Sequence, residues 1–213
     1  MADRVKDAPH PDVYALKREV LAAFEALSEQ GHIDLLYGDE SRVSLLPCVP
    51  YGWQFADEQV AMPSEQVAMP SEQGGGVNCF ALLSRQNECH AHLTEGKITA
   101  VWISERLDAL SLSICRLTVV VLDNASVHRK AVKDRGYVWQ ERGLFVWFLP
   151  TYSPHLNIAE RLWRKLKYEW LRPEDYADED TLRLAVWVAL KAVDSTLKIN
   201  FSPFKKSLED GST

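Results

Sequence analysis

The chain is 213 residues long and 46% hydrophobic, which suits one domain of ordinary size with a sizeable core. A formal net charge of −6 is awkward for a protein that grips phosphates, but its distribution matters more than its total. A charged N-terminus without an apolar run and the absence of any membrane-length apolar segment argue against a secretion signal and a membrane span. Scattered Cys48, Cys79, Cys89 and Cys115 suggest reduced thiols and not a disulfide frame or structural zinc site, so the expected location is cytoplasmic.

In chain order, Val13, Leu16, Val20, Phe24 and Leu27 recur at helical spacing, and Gly31 stands where such a helix would stop. Residues 1–31 therefore read as a lead-in helix packed on a sheet through that stripe. Residues 33–37 predict a first strand that hands over to Asp39, and 43–55 a second strand with a proline-punctuated bend. EQVAMPS occurs at 58–64 and again at 65–71, ahead of a glycine run. Two copies are too few for a solenoid and each carries a proline, so 58–76 reads as a duplicated surface-loop insertion.

Residues 77–83 form a nearly continuous apolar run, the mark of a buried strand. Residues 88–103 predict a further strand or hairpin; Cys89-His90-Ala91-His92 within it lacks a second ligand pair for zinc. Helical character over 104–115 is weak. A strand at 119–122 ends on Asp123, a helix follows over 127–142, and 144–149 is the next strand. The helix after Asn157, which could cap it, lines up Ala159, Leu162, Trp163, Leu166 and Trp170, with Glu160, Arg164 and Lys167 along one edge. Asp180 is placed to cap a last helix that buries Leu182, Val186, Ala189 and Val193. Trp53 and Trp147 read as core residues.

Asp39, Asp123 and Glu160 each stand at the edge of a buried element. Strand ends and helix starts are where an α/β sheet presents side chains to a shared crevice. Any one of these acids alone could be a helix cap or the partner of an arginine. Three together repel unless a cation neutralises them, and hard divalent cations prefer such oxygen donors. Glu40 neighbours Asp39 but should point the other way along a strand. Arg129, Lys130, Lys133 and Arg135 cluster just after Asp123, and Arg161, Arg164, Lys165 and Lys167 just after Glu160; the acidic surplus lies instead in 54–72 and 174–180.

LLYGDES, VVVLDNASVHR and LPTYSPHLNIAERLWRKLK resemble the three motif blocks of DDE transposases, nearest to the bacterial insertion-sequence group related to the mariner elements. The resemblance covers roughly residues 32–171, and the 37-position spacing from Asp123 to Glu160 (160 − 123) inside YSPHLNIAE makes it specific. It implies a ribonuclease H-like α/β fold, a mixed sheet flanked by helices. The catalytic domain would span 32–172, with 173–213 as its C-terminal helix and tail. It further implies that Asp39, Asp123 and Glu160 are the catalytic triad and hold two Mg²⁺ or Mn²⁺ ions, Asp39 bridging them. The implied activity is metal-dependent DNA cleavage and strand transfer at insertion-sequence ends.

Asn124 and His128 could position a phosphate or a water, although Asn124 could equally make a local turn bond. Arg129, Lys130, Arg164 and Lys167 are the expected phosphate contacts. The implied partner is DNA, both element ends and target, in the nucleoid. Residues 1–31 are too few for a pair of helix-turn-helix reading modules, which fits the second frame of a split gene, a truncated copy, or a domain that works with a separate N-terminal reader protein; a second copy of the chain is a further candidate partner. Two rival readings stand beside this one: a degenerate remnant that binds DNA or a partner without cutting, and a ribonuclease H-like cellular nuclease.

Overall fold

The computed structural model describes residues 11–46, 75–202 and 204. Helix α1 (Pro11–Glu29) leads into strand β1 (Asp34–Ser44), and β2 (Gly76–Leu83) and β3 (Cys89–Thr94) follow. Then come α2 (Ala100–Ser113), β4 (Thr118–Leu122), α3 (Ser126–Glu141) and β5 (Leu144–Phe148). A short 3-10 turn at Pro154–Leu156 precedes α4 (Ala159–Lys165), which runs on as a π-helical turn through Trp170. Helix α5 (Glu179–Ala192) closes the described fold. The five strands make one mixed sheet in the order β3-β2-β1-β4-β5, antiparallel on the β2 side of β1 and parallel on the β4 side.

Period-two alternation sorts the core onto two faces. Leu35, Tyr37, Cys79, Ala81, Val119 and Val121 pack beneath α1, α4 and α5. Leu36, Phe80, Leu82, Val120 and Leu122 pack beneath α2 and α3. Both faces of β4 are covered, which is why that strand is apolar throughout. No helix among the described residues is long and apolar enough to cross a membrane.

The fold departs from several of the sequence expectations. β1 does not stop before Asp39; it continues to Ser44 and pairs with β2 from Tyr37 onward, whereas its pairing with β4 covers only Asp34–Tyr37. The polar run Asp39–Arg42 is tolerated in the strand because β1 overhangs β4 there. The proposed second strand therefore begins as the end of β1, and 47–55 lies outside the described residues, as do Cys48, Trp53 and the duplicated heptad.

In α1 the buried face is one position out of phase with the expected stripe. Leu21 and Glu25 are buried, while Val13, Leu16 and Leu27 are exposed. Two polar residues on the inner face cause this. The Lys17 ammonium donates to the Phe148 and Leu149 carbonyls at 2.7 and 3.2 Å. Glu25 accepts from the Tyr37 hydroxyl and, at 2.6 Å, from Arg85 Nε. The helix does end at Gly31, whose φ of +74° suits the cap, with His32 N–H donating to Leu27 O at 2.9 Å.

The weakly helical 104–115 belongs to a full helix. α2 starts at Ala100, capped by Thr99, whose hydroxyl accepts from Trp102 N–H, and its buried residues include Ile103, Leu107 and Leu110. The last helix is capped by Asp178, not Asp180: the Asp178 carboxylate accepts from Thr181 N–H at 2.7 Å, and Asp180 pairs with Arg183 instead. Its expected buried face is present, with Leu182, Val186, Ala189 and Val193 all in the core.

Candidate active site

The parallel register of β1 on β4 pairs Tyr37 with Val121. Carried two residues further, it sets Asp39 level with Asp123, where β4 has just ended. Both acids have the odd parity that faces α4, and Glu160 sits in the first turn of α4, exposed. Asn157 places that helix. Its amide donates to Gly38 O at 3.0 Å and its Oδ1 accepts from Ala159 N–H at 3.1 Å, so the start of α4 is tied to the backbone beside Asp39. The three carboxylates line one cleft of about 330 Å³, with Asn124, Tyr152 and Ser153 along its rim.

Each acid on the sheet is held by a donor. Trp163 Nε1 donates to Asp39 Oδ2 at 3.0 Å. Asp123 Oδ1 accepts from Ala125 N–H at 2.9 Å and from His128 Nδ1 at 2.6 Å. His128 is wholly buried, and its Nε2 lies 2.8 Å from Glu40 Oε2. That second contact is off the hydrogen-bonding line, so both atoms lack an aligned partner and the attraction is electrostatic.

Burial, reinforced by the charges of Glu160 and Glu40, pushes the Asp39 carboxyl up to about 7. The His128 bond holds Asp123 below the usual carboxylate range, against the opposing effect of burial. Burial alone would depress His128, but its bond to Asp123 and the nearby Glu40 carboxylate outweigh that and lift it to about 9.

The donor set suits a hard cation: carboxylate oxygens from three elements, on a cleft whose most buried acid resists ionising beside its neighbours. No three of the described His, Cys, Asp and Glu side chains stand close enough to share one ion as they are. In this arrangement Asp39 is held towards Trp163 and Asp123 towards His128.

The remaining expected residues divide in two. His128 faces Asp123 and Glu40 from the interior, so it cannot reach a phosphate. Asn124 makes no local turn bond but ties across to the end of β5, donating to Leu149 O at 2.6 Å and accepting from Arg129, whose guanidinium also lies over Phe148. Lys130 pairs with Asp134 across one helical turn. Arg164 and Lys167, by contrast, line an open groove with Tyr168 that runs directly on from Glu160.

Three contributors went unread in the sequence. Lys17 clamps the end of β5, Trp163 holds Asp39, and Glu40 reaches His128. Glu40 does point away from Asp39, as alternation requires. What it meets there depends on α3 crossing that face, which no local pattern encodes.

A sequence profile described as DDE superfamily endonuclease matches residues 34–183. The chain belongs to that family. The Shigella sonnei insertion element IS630 uncharacterized 39 kDa protein is 28% identical to this family member over 174 residues, 76% of this chain and 45% of the relative. Among solved structures, the Mos1 strand transfer complex superposes with a TM-score of 0.56 at 14% identity, covering 91% of this chain and 63% of that one. The mariner Mos1 paired end complex with Mg gives 0.52 at 16% identity, covering 91% and 64%. At such identities the likeness is one of fold, and the fold is the expected ribonuclease H-like one. The chain spans a little under half of the IS630 relative and less than two thirds of the Mos1 chains.

Proposed function

We propose that this chain is the catalytic domain of an insertion-sequence transposase, cutting DNA at element ends and joining the freed 3′-hydroxyl to target DNA. The observation that carries the reading is the convergence of Asp39, Asp123 and Glu160, from two strands and a helix, on one cleft in a chain of the DDE superfamily. Residues 32–172 would form the catalytic domain, with the helices of 1–31 and 173–213 packed on the same sheet. The Mos1 paired end complexes solved with Mn and with Mg support a divalent requirement.

The three carboxylates would hold two Mg²⁺ or Mn²⁺ ions, which when bound would activate the attacking oxygen and neutralise charge on the leaving one. The chain's own part is placement. Trp163, Ala125 and His128 fix the two strand acids, and Asn157 aims the helix that carries Glu160. Arg164 and Lys167 on the adjoining groove would take backbone phosphates, which orient a strand without reading its sequence.

The test is cleavage and strand transfer on labelled duplexes bearing the flanking inverted repeats. Mg²⁺- or Mn²⁺-dependent nicking that falls to background in Asp123→Asn and in Glu160→Gln is expected. Binding without any cleavage would point to a degenerate remnant, and cleavage without strand transfer to a cellular nuclease.

A further inference from the structure

Asp123 Oδ1 is taken twice, by the Ala125 N–H at 2.9 Å and by His128 Nδ1 at 2.6 Å. A carboxylate can only accept, so Nδ1 must carry the proton of that bond. With one oxygen committed, Oδ2 is left to the cleft that Asp39 and Glu160 also line. The histidine ring is itself located from behind. It is wholly buried, its ring centroid lies 6.3 Å from that of Phe80, and Glu40 reaches to 2.8 Å from its Nε2. Glu40 comes from β1, one residue after Asp39 and on the opposite face, so the contact passes around the end of the sheet from one carboxylate layer to the other.

We propose that His128 is a positioning residue which selects the Asp123 oxygen offered to the cleft, and that Glu40 holds the imidazole in the orientation that does so. Neither residue touches the substrate. A ligating carboxylate that is free to rotate gives up part of its affinity, and losing such a supporting bond typically costs about 10–100-fold in metal binding. The proposal rests on the metal reading of Asp123, and the two can be separated.

The readout is Mn²⁺ affinity of the full chain, titrated by electron paramagnetic resonance without DNA, alongside far-ultraviolet circular dichroism to establish folding. Asp123→Asn should weaken Mn²⁺ most. His128→Phe, which keeps a buried ring but no donor, should weaken it about 10–100-fold. His128→Asn, whose amide can stand where Nδ1–H stood, should recover most of that loss; a packing role predicts the reverse order, because Asn fills the space worse than Phe. Glu40→Ala should fall between wild type and His128→Phe.

If Asp123→Asn binds Mn²⁺ like wild type, the metal reading fails and the proposal with it. If Asp123→Asn is weakened while His128→Phe is not, or while His128→Asn is no better than His128→Phe, the proposal alone is overturned. Should His128→Phe not fold, Glu40→Ala decides the matter, since that side chain is 30% exposed and its loss leaves the core intact. Wild-type affinity in Glu40→Ala would then refute the relay.

Discussion

Asp39 is the residue on which the charge of the cleft bears hardest. Its ordinary value of 3.8 is raised to about 7 by burial and by Glu160 and Glu40. The folded state therefore holds a proton that the unfolded chain has already released. The resulting stability is complete below about pH 4 and is lost as pH rises through about 7. His128 acts in the same sense over a higher window: raised from 6.5 to about 9, it contributes stability that is full below 6.5 and gone above 9. Melting temperature without divalent cation should accordingly fall in two stages as pH rises, the first between about 4 and 7 and the second between about 6.5 and 9. Asp39→Asn should remove the lower stage and leave the upper one. Added Mg²⁺ should flatten the lower stage too, because a bound cation favours the carboxylate. A pH profile of the same shape in wild type and Asp39→Asn would contradict this account.

At the scale of elements, the junction of α1 with the sheet is where a single change should cost most. Glu25 is 3% exposed and takes bonds from Tyr37 and Arg85, and Arg85 also donates to Ser202 O near the end of the described chain. Glu25→Ala strands a half-buried guanidinium and a buried phenol, a loss on the order of 3–5 kcal/mol. Leu16→Ala, on the same helix but 61% exposed, should stay within about 0.5 kcal/mol. Urea denaturation of the two variants compares them directly, and equal effects would mean that the helix packs through its apolar stripe after all. Gly38 provides a second case. A Cβ there would press on Leu122 and come within 2.8 Å of Leu82 Cδ2, in the residue next to Asp39. Gly38→Ala should destabilise by about 1–3 kcal/mol through overpacking. It should also disturb the Asn157 bond to Gly38 O, weakening cleavage more than DNA binding.

For the whole molecule the relevant balance is between net charge and local groove. With −6 overall, the proposed DNA affinity would rest on local basic surface, and among the described residues the groove beside Glu160 supplies Arg164 and Lys167. Phosphate contacts of this kind give dissociation constants on the order of 10⁻⁴–10⁻⁶ M at physiological salt, with little sequence preference. Arg164→Ala and Lys167→Ala should each reduce the slope of log affinity against log salt by about 1, equally on duplexes with and without terminal repeats. Lys130→Ala and Arg129→Ala should change it less, since those cations already serve Asp134 and Asn124. Salt titrations by fluorescence anisotropy check the ranking, and a larger effect at Lys130 would move the DNA path to α3.

The strands β4 and β5, helices α3 and α5 and the fact that the three acids would share one cleft were legible in the sequence because each depends on local pattern: β-branched runs, helical periodicity, or a motif with fixed spacing. The start of α2 was not, because 88–103 reads as strand-like until Thr99 is seen capping the helix that begins at Ala100. β1 looked as if it ended at Asp39 because polar residues in a strand are unfavourable, and only the overhang past β4 removes that cost. The phase of α1 was misread for a related reason. Lys17 and Glu25 are polar yet inward, and their partners lie 131 and 60 residues away. The same holds inside the cleft. Sequence alone chose Asp39, Asp123 and Glu160, but which donor restrains each, and that Glu40 stands behind His128, came from helices crossing opposite faces of one sheet. Local propensity and spacing act over a few residues, whereas the partner of a buried charge is set by whatever the folded chain brings to its side.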